Sequence, residues 1–230
     1  MAVRLLFKQL NILKNKNCRL LCTGTCSTLS SNKNNIDNDK NWKEELLKTM
    51  KIYPDFINKD EEESLFQEVE PYMKKLRYEF DHWDDAIHGY RETERSKWND
   101  VNKIIIDRVR QMAFPPGMPQ LRYVHVLDLS AEGIIKPHVD SVRFCGDVIA
   151  GISLLSDCVM RLTKVGDEIK CREDFFLPQR SLYIMSGVAR QVYNHEVLGP
   201  NDSIYQGKKI KKDRRISIIC RSEPDTQQSS

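Results

Sequence analysis

Residues 121–155, LRYVHVLDLSAEGIIKPHVDSVRFCGDVIAGISLL, mark the point at which the chain changes from helical to β-rich patterns. Short runs of β-branched and aromatic residues predict strands, and the turn formers between them, such as Ala131-Glu132-Gly133, predict turns. The predicted strands are 121–129, 133–140, 148–155, 159–165, 181–185 and 215–221. Many short strands with regular turns favour a β-sandwich or barrel over a parallel α/β sheet.

Two helical patterns precede this β-rich part. In 60–77, Leu65, Val69 and Met73 recur at helical intervals, and Pro71 predicts a kink or a break. A second helix is predicted over 96–113, ended by the sequence PPGMP, whereas 78–95 is aromatic and charged without a clear period. The expected fold is therefore α+β, with N-terminal helices packed on a β core.

The N-terminal region differs in composition from the rest of the chain. Residues 1–36 contain six basic residues and no acid, with apolar residues at helical spacing, which is typical of a mitochondrial transit peptide. A disordered basic tail is the alternative interpretation. The polar stretch 27–41 predicts a linker. We therefore expect a transit peptide and linker at 1–40, a catalytic domain at 41–222 and a disordered tail at 223–230, with the mature protein in the mitochondrial matrix.

Charge and cysteine content argue against a strongly basic nucleic-acid-binding protein and against a disulfide-stabilised one. Without the first 36 residues the chain keeps 30 basic and 33 acidic residues, so its basic pI of about 8.4 is poor support for nucleic-acid binding. The seven cysteines are scattered and odd in number, which argues against a disulfide framework. No apolar run approaches the roughly 20 residues of a membrane-spanning helix.

His138-Val139-Asp140 is the first candidate metal motif. Residues i and i+2 of a strand project from the same face, so both side chains can reach one ion. One further histidine would complete a two-histidine, one-carboxylate triad for non-haem Fe(II). His195 lies 55 positions after Asp140, and a barrel can bring such distant strands together. A surface histidine after Pro137 is the alternative for His138, and the pair alone is a weak signal.

Arg215-Ile-Ser-Ile-Ile-Cys-Arg221 is the second candidate motif. The two arginines are six positions apart and share one face of a predicted strand. Each carries a permanent charge on a planar group that suits a carboxylate. A positively charged strand edge is the alternative, because Lys208, Lys209, Lys211 and Lys212 come just before it.

The order His-x-Asp, a distant His and then Arg-x5-Arg resembles the AlkB family of Fe(II)/2-oxoglutarate dioxygenases over roughly 52–222. The resemblance implies a double-stranded β-helix, or jelly roll, and an iron triad of His138, Asp140 and His195. It implies Fe(II), 2-oxoglutarate and O2 as cofactor and cosubstrates. It further implies that 2-oxoglutarate is held by Tyr183, Arg215, Ile216, Ser217 and Arg221, with Arg215 on its far carboxylate.

Three hypotheses about the substrate remain open. We rank a hydroxylase of a protein or small metabolite first; the motifs resemble a mitochondrial branch of the family, which implies a link to fatty-acid metabolism and programmed necrosis. A demethylase of N-methylated bases in mitochondrial RNA ranks second, since Tyr78, Phe80, His82, Trp83 and Tyr90 could stack on a base. A regulatory protein that binds partners with little turnover ranks third. The sequence leaves the oligomeric state open.

Overall fold

The computed structural model describes residues 34–80 and 85–224, with side chains from Asn41 onward. The core and the candidate site lie in the compact unit Asp39–Ser230. The predicted transit peptide, residues 1–33 of the expected leader and linker, and residues 225–230 of the expected tail lie outside the described residues.

The helices flank or interrupt a β-rich chain. They are α1 (Asn34–Thr49), α2 (Lys59–Met73), α3 (Asp100–Ala113) and the short α4 (Gly187–Gln191). The first helix begins at Asn34, inside the stretch 27–41 that we predicted as a linker, so the last part of that stretch is helical. The predicted helix 60–77 is confirmed but begins one residue earlier, after Asn58, whose side chain and that of Glu61 cap each other's backbone.

Nine strands form one antiparallel sheet. They are β1 (Met50–Tyr53), β2 (Ile87–Arg95), β3 (Val124–His138), β4 (Val148–Leu154), β5 (Cys158–Lys164), β6 (Arg172–Leu177), β7 (Leu182–Ser186), β8 (Tyr193–Val197) and β11 (Arg215–Arg221). Their order in the sheet is β1-β7-β4-β11-β3-β8-β5-β6, with β2 also paired to β3. A separate hairpin pairs β9 (Ile204–Tyr205) with β10 (Lys208–Lys209).

The sheet curls around an inner core and carries two of the helices on its outer face. Residues such as Leu129, Met160 and Tyr183 form an inner cluster to which both halves of the sheet contribute. Helices α2 and α3 pack on the outer face of β3, β4, β7 and β11 through a second cluster that includes Leu65 and Ile105. This nearly closed antiparallel arrangement confirms the predicted jelly-roll core with helices packed on it.

One long strand replaces the two that we predicted over 121–140. Ala131-Glu132-Gly133 does not separate two strands but forms a bulge inside β3, because the register passes from His88–Ile134 to Tyr90–Leu129 and leaves three extra residues on β3. A Cβ at Gly133 would lie 2.6 Å from the carbonyl oxygen of Gly89, so only glycine permits this close approach. The β2–β3 register shifts between His88 and Tyr90, beside this contact. The continuous β3 places His138 at the end of a strand that begins beside α3.

No helix in the described part of the chain is long and apolar enough to cross a membrane.

Candidate metal and cosubstrate site

Three side chains from β3, the loop after it and β8 converge at one end of the barrel. His138 and His195 face each other in the β3–β8 register, with ring centroids 4.2 Å apart. Nε2 of His138 lies 3.5 Å from one Asp140 oxygen, and Nε2 of His195 lies 4.0 Å from the other. The three ligand atoms all lie within 4.8 Å of one another. The predicted convergence of His138, Asp140 and His195 is therefore confirmed, and the three could hold one ion.

The protonation of these groups suits a divalent metal. Nδ1 of His138 lies 2.9 Å from the carbonyl oxygen of Lys136 and donates to it, so the lone pair is on Nε2. Burial lowers the pKa of His195 to about 4, helped by the charge of His138, so this imidazole is neutral at neutral pH. Burial alone would raise the pKa of Asp140, but the contact with His138 and the charge of Arg221 hold this pKa well below its usual value.

Arg215 supplies a buried cation deeper in the barrel. Only 1% of it is exposed, and its Nε and Nη1 donate to the hydroxyls of Ser153 and Ser217 over 2.8 and 2.6 Å. Its Nη2 is buried without a hydrogen-bond partner among the described residues. A buried charge without a counter-ion is costly, so this arrangement fits the carboxylate of a bound ligand.

Tyr183 lies beside Arg215 on the same face of the sheet. Burial raises its pKa to about 12, so the phenol keeps its proton and can donate a hydrogen bond. Its partner in the β4–β7 register is Gly151, and a Cβ there would lie 2.5 to 2.7 Å from the phenol ring and its oxygen. Gly151 therefore provides the space that the phenol occupies.

The other predicted cosubstrate residues divide by strand face. Arg221 shares the inner face with Arg215 and Ser217, and its charge lowers the pKa of both Asp140 and His195. Ile216 lies on the opposite face, fully buried in the cluster beneath the helices. Its side chain is therefore not brought to the candidate site.

Two features of the site were missed by the sequence analysis. Arg190 in α4 is 1% exposed, donates to the carbonyl oxygen and sulfur of Cys145, and lowers the pKa of His195. Nothing in the sequence around it distinguishes this arginine. The second feature is His125, which is hydrogen-bonded to Glu92 and to Arg221 and so leads toward the site.

Residues 29–221 match the family model described as the 2OG-Fe(II) oxygenase superfamily. The chain belongs to this superfamily. Its members use Fe(II), 2-oxoglutarate and O2, which confirms the predicted cofactor and cosubstrates, and the chain is accordingly an oxidoreductase. This oxygenase is 48% identical over 174 residues to the mouse protein named alpha-ketoglutarate-dependent dioxygenase alkB homolog 7, mitochondrial, covering 76% of this chain and 78% of the relative. The predicted resemblance to the AlkB family is confirmed.

Solved structures support the same fold for the oxygenase. OsALKBH1 has a TM-score of 0.54 at 14% identity, covering 75% of this chain and 97% of that one. A prolyl hydroxylase from Trichoplax adhaerens, in complex with a hypoxia inducible factor peptide fragment, has a TM-score of 0.55 at 9% identity, covering 87% and 98%. At these identities the likeness concerns the fold alone.

Proposed function

We propose that this oxygenase holds Fe(II) with His138, Asp140 and His195 and hydroxylates a C–H bond of a protein or small metabolite in the mitochondrial matrix. The observation that carries the proposal is the convergence of two imidazoles and one carboxylate at the mouth of the barrel. Three protein ligands leave open positions on the metal for a cosubstrate and O2. With these bound, iron supplies the oxidative decarboxylation of 2-oxoglutarate to succinate and CO2 that accompanies substrate hydroxylation.

We assign the far carboxylate of 2-oxoglutarate to Arg215. Its unpaired Nη2 supplies a donor, and Ser153 and Ser217 hold the guanidinium in one orientation. The protonated phenol of Tyr183 supplies a second donor, and Arg221 supplies positive charge between Arg215 and the triad. These residues bind and orient the cosubstrate, and their burial keeps water from it.

The surroundings of the site favour a protein or metabolite over RNA. Of the five residues considered for base stacking, Tyr78 and Tyr90 are engaged elsewhere, Phe80 is exposed, and His82 and Trp83 lie outside the described residues. The ring of Tyr78 lies 4.5 Å beneath the Arg91 guanidinium, and Tyr90 is 4% exposed in the inner core. Near the triad, the loop after Asp140 instead exposes Val142 and Phe144, which suits a substrate with an apolar part.

The candidate basic patch 208–214 is also divided by the fold. Lys212 is buried with its amine on the carbonyl oxygen of Gly133, and Arg214 is paired with Glu70 and Asp128. Of the basic residues in this patch, only the lysines at 208, 209 and 211 are exposed. Three exposed lysines form a small surface for phosphate contacts.

Mitochondrial location is inferred from the acid-free leader and from the name of the mouse relative. The matrix, the link to fatty-acid metabolism and the link to programmed necrosis stay predictions.

The test compares oxidised peptides, metabolites and RNA bases in mitochondria that carry the native protein, His138→Ala or the control His88→Ala. His88 contacts Asp85 and lies outside the triad. We expect a hydroxylated peptide or metabolite with the native protein and the control but not with His138→Ala. Formaldehyde released from methylated mitochondrial tRNA would favour the demethylase instead. Full rescue of deficient cells by His138→Ala would favour the regulatory hypothesis.

A further inference from the structure

A row of three polar side chains crosses the inner face of the sheet toward the site. Glu92 lies on β2, His125 on β3 and Arg221 on β11. His125 stands opposite Glu94 in one register and opposite Ile219 in the other, so Glu92 and Arg221 are its diagonal neighbours. Long side chains reach one another across such diagonals. The register therefore brings together three groups that are distant in sequence.

The hydrogen bonds in this row define which ring nitrogen of His125 carries the proton. Nη2 of Arg221 donates to Nδ1 of His125 over 2.7 Å, and Nε2 of His125 lies 2.8 Å from Oε2 of Glu92. A guanidinium has donors only, so Nδ1 must present its lone pair. Nε2 then carries the proton and donates it to the Glu92 carboxylate. Glu92 thus selects the tautomer that accepts from Arg221.

Arg221 depends on this contact for its orientation. No carboxylate in the described part of the chain forms an ion pair with it, and its Nε is buried without a partner. An arginine side chain has many rotamers, and ordering them on ligand binding weakens affinity. The histidine holds the Arg221 guanidinium on the inner face, where its charge acts on Asp140 and His195.

We propose that His125 is a positioning residue for 2-oxoglutarate binding, which orients the Arg221 guanidinium while Glu92 fixes the required tautomer. The inference rests on the proposed role of Arg221 in holding the cosubstrate. Comparable supporting hydrogen bonds around metal sites contribute about 10–100-fold in affinity or activity. The loss is expected in the KM for 2-oxoglutarate more than in kcat, because His125 touches Arg221 and not the triad.

Calorimetric titration of Mn(II)-loaded protein with 2-oxoglutarate tests the proposal without a known primary substrate. His125→Leu removes the acceptor and is expected to weaken binding about 10-fold. His125→Asn places an amide oxygen near the position of Nδ1 and is expected to restore most of that affinity. Glu94→Gln is the matched control, because Glu94 is exposed directly opposite His125 without a hydrogen bond to it, and it should bind as the native protein does.

Arg221→Gln separates the possible failures, and thermal unfolding checks that each variant folds. If Arg221→Gln binds 2-oxoglutarate as the native protein does, the proposed role of Arg221 is wrong. The positioning role of His125 is then overturned as well. If Arg221→Gln loses affinity while His125→Leu keeps it, the positioning role alone is overturned. Equal losses of affinity and melting temperature in His125→Leu and His125→Asn would make His125 a structural residue and overturn the inference as well.

Discussion

Arg214 and Arg215 are consecutive in the chain but point to opposite faces of the sheet. On the outer face, Arg214 pairs with Asp128 over 2.8 Å and with Glu70 over 2.5 Å. Arg91 and Tyr78 add further hydrogen bonds to Asp128, which is fully buried. On the inner face, Arg215 donates to the hydroxyls of Ser153 and Ser217 and lies beside the Cys158 thiol, and its Nη2 has no hydrogen-bond partner among the described residues.

This difference separates a structural charge cluster from a binding site. The outer arginine has carboxylate partners within the chain, so its charges tie β11 to β3 and α2. Within residues 41–80 and 85–224 no carboxylate pairs with the inner arginine, and a bound carboxylate would supply a counter-ion. The following variants test that division, from the largest expected effect to the smallest.

Asp140→Ala should abolish the conversion of 2-oxoglutarate to succinate while the protein keeps its fold. Loss of a direct metal ligand is expected to lower succinate formation by more than the roughly 100-fold that changes around a metal site can cost. Asp147→Asn is the control, since Asp147 is exposed later in the same loop and accepts only from Gln191. Succinate formation close to the native rate in Asp140→Ala would remove this carboxylate from the proposed triad.

Asp128→Ala should instead lower stability. It removes the carboxylate that pairs with Arg91 and with part of Arg214, which we expect to lower the free energy of unfolding by about 2–3 kcal/mol. Chemical denaturation measures the loss, and Asp85→Asn, which removes an exposed ion pair with Lys136 but suits the left-handed backbone at this position, should leave stability unchanged. The division between the faces would be wrong if Asp128→Ala kept native stability but lost 2-oxoglutarate affinity.

Gly151→Ala tests the inner face, because the added methyl group should displace the Tyr183 phenol. The added methyl group would lie 2.5 Å from the ring, and overpacking of this kind costs about 1–3 kcal/mol. The KM for 2-oxoglutarate should rise in the same direction as in Tyr183→Phe, because both changes remove the hydroxyl from its place. A KM raised by Tyr183→Phe but unaltered by Gly151→Ala would contradict this account of Gly151.

The smallest expected effect is the pH dependence of the outer cluster. The hydrogen bond from Arg214 holds the pKa of Glu70 below its usual value. Glu70 therefore adds stability above its unfolded pKa of about 4.5, and that contribution is lost as the pH falls through the lower folded value. The stability gap between native protein and Glu70→Gln should close on acidification from about pH 6 to about pH 3. A gap that widened over this range would reverse the sign that we assign.

The fold could be predicted where hydrophobic periodicity was strong. Leu65, Val69 and Met73 are all fully buried, as their spacing in the helix indicates. Strand β2 was missed because its sequence, IHGYRETER, directs charged residues to both faces, where ion pairs such as Arg91–Asp128 replace apolar packing. The predicted turn at Gly133 does not end a strand but is a bulge inside β3, where this glycine also permits the close approach of β2; a local pattern does not distinguish the two.

The site could be predicted only in part for similar reasons. His138 and Asp140 are close in sequence, so strand geometry alone places them together. His195 lies on β8, YNHEV, whose short pattern did not predict a strand, and its place came from the order of motifs. The contacts of His125 and the fit of Gly151 against Tyr183 depend on strand register, which the sequence pattern does not specify.

The most direct test of the division between the faces is 2-oxoglutarate titration of Mn(II)-loaded Arg215→Gln and Arg214→Gln, with denaturation of both proteins. Hydrogen bonds to a charged group contribute about 1.5–3 kcal/mol. Arg215→Gln should therefore bind 2-oxoglutarate roughly 10–100-fold more weakly, whereas Arg214→Gln should keep native affinity and lose stability. Native affinity in Arg215→Gln, or the larger affinity loss in Arg214→Gln, would contradict the account.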